Sequence, residues 1–185
     1  MSSAQAPQTI RVTLDTFIRA ETDTYLRKRQ ATDAFGRLMH HRDPVDIDHK
    51  PVVRANRDTL YSYGVFDLSE PVTLTLPERG QRFQSIRIIN QDHFIVTDQA
   101  RPGTYALTQE SVGSRYVHVN IRTLVNPGDP EDVAAAHALQ DAVLLEQASP
   151  GRLELPEWNQ ESLGALRRAI LGLGPFVPDS RRMFG

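Results

Sequence analysis

The sequence predicts an α+β, β-rich fold: an antiparallel sandwich- or barrel-like sheet with an N-terminal helix and two C-terminal helices. Three observations carry that prediction. Apolar residues recur at helical spacing in the first thirty or so positions. From Val52 to Val125 they alternate with polar residues in short runs broken by turn residues. After Pro130 the helical spacing returns.

Residues 1–9 read as a polar, disordered lead-in, and residues 10–185 as a single domain, the default for a chain of 185 residues. Thr13 is a candidate N-cap, with Val12 and Phe17 placed to close a hydrophobic staple around it. Leu14, Phe17, Ile18 and Tyr25 form the apolar stripe of a helix that fades by Arg29, and a short second helix is expected over 34–42. Pro44 and Pro51 bracket an Asp-rich loop. Val72, Leu74 and Leu76 alternate with threonines until Pro77, and Ile86 and Ile88 alternate with Ser85 and Arg87. Phe94 and Val96, then Tyr105 and Leu107, continue the pattern, and Val117, Val119, Ile121 and Val125 close it. This stretch leaves no room for the crossover helices a parallel sheet needs. Asp129-Pro130-Glu131 is a helix start: a capping side chain, a proline at the first position, acid in the first turn. Ala135, Ala136, Leu139, Ala142 and Val143 give that helix a narrow stripe for close packing on the sheet. Asn159 caps the last helix, whose stripe is Leu163, Leu166, Ile170 and Leu173, ended by Gly172, Gly174 and Pro175.

Composition narrows the function. Lys and Arg number 21 against 23 Asp and Glu, a formal net charge of −2. A general nucleic-acid binder needs a basic face to displace counterions from phosphates, so no nucleic-acid partner is expected. There is no cysteine, which removes thiolate chemistry and disulfides. No run approaches the roughly 20 apolar residues of a membrane helix. The polar N-terminus lacks the apolar core of a signal peptide, so a cytoplasmic location is expected as the chain is written; a chain that had lost its leader would be periplasmic.

Four polar clusters are candidate sites. His40, His41, Asp43, Asp46, Asp48 and His49 are ligand types, but their spacing matches no sharp metal pattern and Arg42 and Lys50 repel a cation, so no metal is assigned. In Arg54 to Ser62, Asn56 and Asp58 either pin a turn or place Asp58 as acid or base with Tyr61 as donor. A carboxyl against an apolar wall has its pKa raised toward neutrality, which suits that role. In Asn90-Gln91-Asp92-His93, neighbouring Asp92 and His93 point to opposite faces of a strand, and His93 either is structural or, as a site residue, is expected to pair with Asp58 from a neighbouring strand. His118, Asn120 and Arg122 share one strand face, which is either solvent-facing or the lining of an open cavity where Arg122 grips a carboxylate. The catalytic candidates are thus Asp58, His93, Asp92 and Tyr61, and the ligand-binding candidates Arg54, Asn56, His118 and Arg122. No cofactor is implied, and no serine stands in a nucleophile's context.

The motif Asn56-Arg57-Asp58-Thr59-Leu60-Tyr61-Ser62 resembles bacterial proteins carrying domain of unknown function 1254. The resemblance continues through Arg82-Phe83-Gln84-Ser85, Asn90-Gln91-Asp92-His93, Gly113-Ser114-Arg115-Tyr116-Val117, Arg122-Thr123-Leu124-Val125 and His137-Ala138-Leu139-Gln140-Asp141 to the closing Pro178-Asp179-Ser180-Arg181-Arg182-Met183-Phe184-Gly185. It implies a β-rich, sandwich-like domain with flanking helices and lends no catalytic residues. Members often continue into a second β domain, domain of unknown function 1214, so the chain reads as an N-terminal half. The segment Val96 to Pro102 departs from the family pattern. Two functions follow: a small-molecule-binding, acid–base or hydrolytic domain with its pocket in the β layer, or a non-catalytic module that packs against a partner β domain or another copy of itself.

Overall fold

In the computed structural model, which describes residues 9–45 and 56–179, the chain divides into two compact units. The larger runs from Tyr25 to Leu153; the smaller joins the N-terminal segment through Thr24 to the segment from Glu154 onward. Asp46, Asp48, His49, Arg54 and the closing 180–185 motif lie outside the described residues.

The larger unit is a sandwich, not a closed barrel. Its elements are the end of α1 (Leu14–Ala31), β1 (Met39–His40), β2 (Thr59–Asp67), β3 (Val72–Leu76), β4 (Gln84–Asn90), β5 (Ile95–Gln99), β6 (Gly103–Leu107), the short α2 (Gln109–Val112), β7 (Tyr116–Leu124), α3 (Pro130–Asp141) and β8 (Leu144–Gln147). Five strands form one antiparallel sheet in the order β1-β2-β7-β4-β5, and three form the other in the order β6-β3-β8. The apolar alternation read from the sequence supplies the buried residues of β3, β4 and β7, but Phe94 and Val96, read as part of the same pattern, are exposed. Ile86 and Ile88 of β4, Val117, Val119 and Ile121 of β7, and Phe66 of β2 pack against Val72, Leu74 and Leu76 of β3 and Leu107 of β6. Both faces of β2 are covered, so eight of its nine residues are buried.

α3 starts where the local signals place it. Asp129 accepts from the backbone N–H of Glu131 and Asp132, and Pro130 occupies the first turn. Ala136 is fully buried against Leu60 and Val125 at one end of the sheet. Residues 34–42 are not the expected helix. Gly36 sits at φ +67°, which no helix tolerates, and the backbone instead exchanges hydrogen bonds with Val65 before Met39 and His40 pair with Tyr63 and Ser62. β8 was not foreseen either: Leu144 and Leu145, just past the helical stripe that ends at Val143, pair with Thr75 and Leu74.

The smaller unit holds the start of α1 and α4 (Gln160–Leu171). Val12, Ala20, Trp158 and Leu163 are its core, flanked by Phe17 and Leu166. Trp158 donates its indole N–H to the buried Asp23 at 2.9 Å, and Asn159 caps α4 by accepting from Ser162 N–H at 2.8 Å. Only the first half of the expected α4 stripe is buried; Ile170 and Leu173 are exposed.

Candidate functional site

Strand order decides which predicted residues can meet. β7 lies between β2 and β4 and runs antiparallel to both, so β2 and β4 run parallel to each other. Asp58 precedes β2, whose first residue pairs with Leu124. Asp92 and His93 follow β4, whose last residue pairs with Val117. Seven residues of β7 separate those pairs, about 24 Å at the rise of a β-strand. The expected pairing of His93 with Asp58 is therefore wrong: only direct antiparallel pairing of β2 with β4 would bring the two motifs to one end, and the intervening β7 makes those strands parallel and puts the motifs at opposite ends.

Each motif then has a local job. Asp58 is exposed, accepts from its neighbour Thr59 Oγ1 at 3.1 Å, and its carbonyl accepts from Val125 N–H. It lines a shallow groove of about 540 Å³ with Asn56, Arg57 and Pro127. A second depression nearby contains Arg82 and Asp132, but these two neutralise each other in a bidentate pair. In the other motif, Asn90 Oδ1 accepts from the N–H of Asp92 and of Phe94, and Nδ2 donates to Val112 carbonyl. His93 adopts φ +65°. Asp92 and His93 thus lie in a side-chain-braced turn, not on a strand as expected. Gln91 is buried and ties this turn to Ser114 and Tyr116, joining two of the family-like motifs.

The outer face of the five-stranded sheet gathers the rest. Tyr61 stands opposite Arg122, Tyr63 opposite Asn120, and Val65 opposite His118; Ser85 and Arg87 of β4 flank Arg122 and Asn120 from the other side. So the sheet unites three predicted residues, Tyr61, His118 and Arg122. It also adds Tyr25, Arg29 and Tyr63, which the sequence reading did not select for a site, and His41, which that reading placed in the histidine–aspartate cluster to which no metal was assigned. Tyr25 was assigned to a helix stripe and Arg29 to a helix end; only docking of α1 brings them to β7.

Arg29 is the centre of this cluster. Its guanidinium lies 3.9 Å from the Tyr63 ring centroid and 4.6 Å from that of Tyr25, and it donates to the Tyr25 hydroxyl. Tyr25 meets His118 edge-on at 5.1 Å, with its hydroxyl 3.4 Å from Nε2. His41 Nε2 lies 2.8 Å from the Tyr63 hydroxyl. Burial, then the charges of Arg29 and His93, push the His118 pKa down to about 3, so the imidazole is neutral at physiological pH. Burial and Arg29 also push His41 down. Arg122 lies 5.8 Å from the Tyr61 ring centroid.

Two atoms here stand out. Asn120 Oδ1 and Arg29 Nε are both buried with no hydrogen-bond partner. Among the described residues, no carboxylate pairs with Arg29 or Arg122, whereas Arg87 is held by Asp98.

The opposite face of β2 carries a serine–histidine pair, with His40 Nδ1 2.7 Å from Ser62 Oγ. Ser62 is wholly buried, Gln140 Nε2 also bonds its hydroxyl at 3.1 Å, and Asp141 is engaged by Arg42. That arrangement fastens β1 and β2 to α3. It presents no hydroxyl to a substrate.

A family model for proteins of unknown function (DUF1254) matches residues 35–147. The chain belongs to the DUF1254 family. The match spans β1 to β8 and so includes Tyr61, His118, Asn120 and Arg122, while Tyr25 and Arg29 precede it. This DUF1254 chain is similar in fold to the crystal structure of the VPA0106 protein from Vibrio parahaemolyticus, with a TM-score of 0.56 and 15% identity. That likeness covers 77% of this chain and 39% of the other, so the chain spans about two fifths of its solved relative. At that identity the likeness speaks to fold alone. No curated protein matches the chain.

Proposed function

We propose that this DUF1254 domain binds a small polar molecule on the outer face of its five-stranded sheet, over Tyr61, Asn120 and Arg122 and against Arg29. The observation that carries the reading is the pair of partnerless buried atoms, Asn120 Oδ1 and Arg29 Nε. Leaving one such group unsatisfied costs about 1–3 kcal/mol, and folded proteins keep few of them. Here two occur on one face, next to half-buried Tyr61 and Arg122 that leave it open to solvent. The neutral His118 and the Tyr25 hydroxyl add uncharged hydrogen-bonding groups beside the bound molecule.

An amide NMR titration with lactate, glycerol and ethanolamine tests this. One probe is expected to shift the Tyr61, Asn120 and Arg122 amides, and Asn120→Leu to abolish the shifts with melting temperature retained. Shifts confined to Asp58 or to Asp92 would overturn the reading.

A second reading, an interaction module, is favoured by one surface. Phe94 and Ile95 are 69% and 55% exposed and Val96 adjoins them, at the start of the edge strand β5. Apolar edges of this kind pair with other chains. Light scattering after size exclusion is expected to show association that Phe94→Ser relieves; a concentration-independent monomer excludes self-association by this edge.

A further inference from the structure

The outer-face site carries enough chemistry to specify the class of its ligand, an inference that rests on the binding reading above. We infer that the ligand is a small hydroxy acid, its carboxylate seated against Arg29 and Arg122 and its hydroxyl donating to Asn120 Oδ1.

The charge comes first. Arg29 and Arg122 are two permanent cations on one face, and neither has a carboxylate partner among the described residues. Arg87, the third arginine of the face, is neutralised by Asp98. His118 adds no charge to the field, because it is neutral. Among the described residues the face is therefore positive without a counterion of its own, and it favours an anion over a neutral or cationic ligand.

The competing account treats Arg29 as structural, its charge met by the faces of Tyr25 and Tyr63. That account is incomplete. An aromatic face that meets the cation gives its in-plane N–H groups no acceptor. One N–H goes to the Tyr25 hydroxyl, and Nε remains buried without an acceptor. A planar carboxylate or a tetrahedral oxyanion meets in-plane N–H donors edge-on.

The hydroxyl follows from Asn120. Its Oδ1 is a buried acceptor with no donor, and it lies on the same face as Arg122, two residues along β7. Side chains so placed are about 7 Å apart along the strand. A carboxylate with a hydroxyl on the next carbon spans that interval together with its hydrogen bonds. A simple fatty acid would meet the arginines and leave Asn120 unsatisfied. Glycerol would meet Asn120 and leave the arginines unsatisfied.

Isothermal titration of the full chain with lactate, propionate, glycerol and inorganic phosphate, each mapped by amide shifts, tests the class. Lactate is expected to bind at Tyr61, Asn120 and Arg122, at least tenfold more tightly than propionate, with glycerol silent. Arg122→Gln, a half-buried position whose change leaves the core intact, is expected to weaken lactate at least tenfold at unchanged melting temperature; Arg122→Lys is expected to restore part of the loss. Glycerol binding at these residues with lactate silent overturns the hydroxy-acid assignment and leaves the binding function standing. Phosphate binding there with lactate silent overturns the carboxylate. Silence of every probe, here and with ethanolamine, overturns both the class and the binding function.

Discussion

Gly151 and Asp67 show how much one missing atom can matter. Asp67 ends β2 with its side chain buried. Its oxygens accept from Arg115 Nε and Nη2 at 3.0 and 2.9 Å, from Arg152 N–H at 3.1 Å and from Ser69 N–H at 3.0 Å. Burial alone would raise its pKa, but these bonds and the Arg115 charge outweigh that and hold it below the usual carboxylate range. Gly151 passes directly over this carboxylate: a Cβ there would stand 2.5 Å from Asp67 Cβ, and the backbone is at φ +70°. Gly151→Ala therefore meets a steric and a conformational penalty together. It is expected to destabilise the fold by about 2 kcal/mol or more in urea unfolding. An unchanged midpoint would mean that the loop simply steps aside. Neither residue was singled out by the sequence, because a glycine 84 positions after an aspartate gives no sign that the two touch. The residues that were singled out split. His118 and Arg122 were placed on one face because period-two alternation is local. Asp58 and His93 were paired wrongly because their distance is not local.

Elements whose signals lie within their own sequence were legible. α3 has its cap, its proline and its acidic first turn side by side, and it begins where they indicate. Asp129→Ala removes an acceptor for two otherwise unpaired amides and is expected to cost about 1 kcal/mol. Differential scanning calorimetry checks this, and Asp129→Ser should recover most of the loss. A mutant as stable as the parent would mean that packing of Ala136 on Leu60 alone holds the helix start. Elements stabilised by distant partners were not legible. β1 and β8 are two and four residues long and exist because β2 and β3 offer them free edges. The family-like motifs also resolve at this scale into fastenings between elements. Gln140 holds Ser62, Arg82 holds Asp132, and Gln91 holds Ser114 and Tyr116.

For the whole molecule, the polar groups buried in the fold make stability depend on pH with one sign. His118 has a folded pKa near 3, below its ordinary 6.5. Between those values the unfolded chain binds a proton the native state refuses, so acidification below about pH 6.5 favours unfolding. His40 and His41 are displaced the same way, by burial first. Asp132 is lowered to about 2 by Arg82 and by the Asn126 amide, and Asp67 is lowered as well. Their stabilisation is intact above about pH 4 and is lost as pH falls through their folded values. Unfolding free energy is therefore expected to fall by about 1 kcal/mol per pH unit from pH 6 to 4, then more steeply as the carboxylates protonate. Urea titrations across that range should show His118→Gln flattening the upper limb and leaving the lower one. A profile flat from pH 7 to 4 would mean that His118 protonates freely in the native state.

Periodicity, caps and turn residues were enough to establish a β-rich α+β chain with a helix before the sheet and helices after it, and to put His118, Asn120 and Arg122 in one row, because each of those signals acts over a few residues. The order of strands, the docking of Tyr25 and Arg29 onto β7, and the separation of Asp58 from Asp92 and His93 arose from burial shared between segments far apart in the chain. That is why the candidate site lies around Arg29 and Asn120, on the outer face, and not between the two acidic motifs.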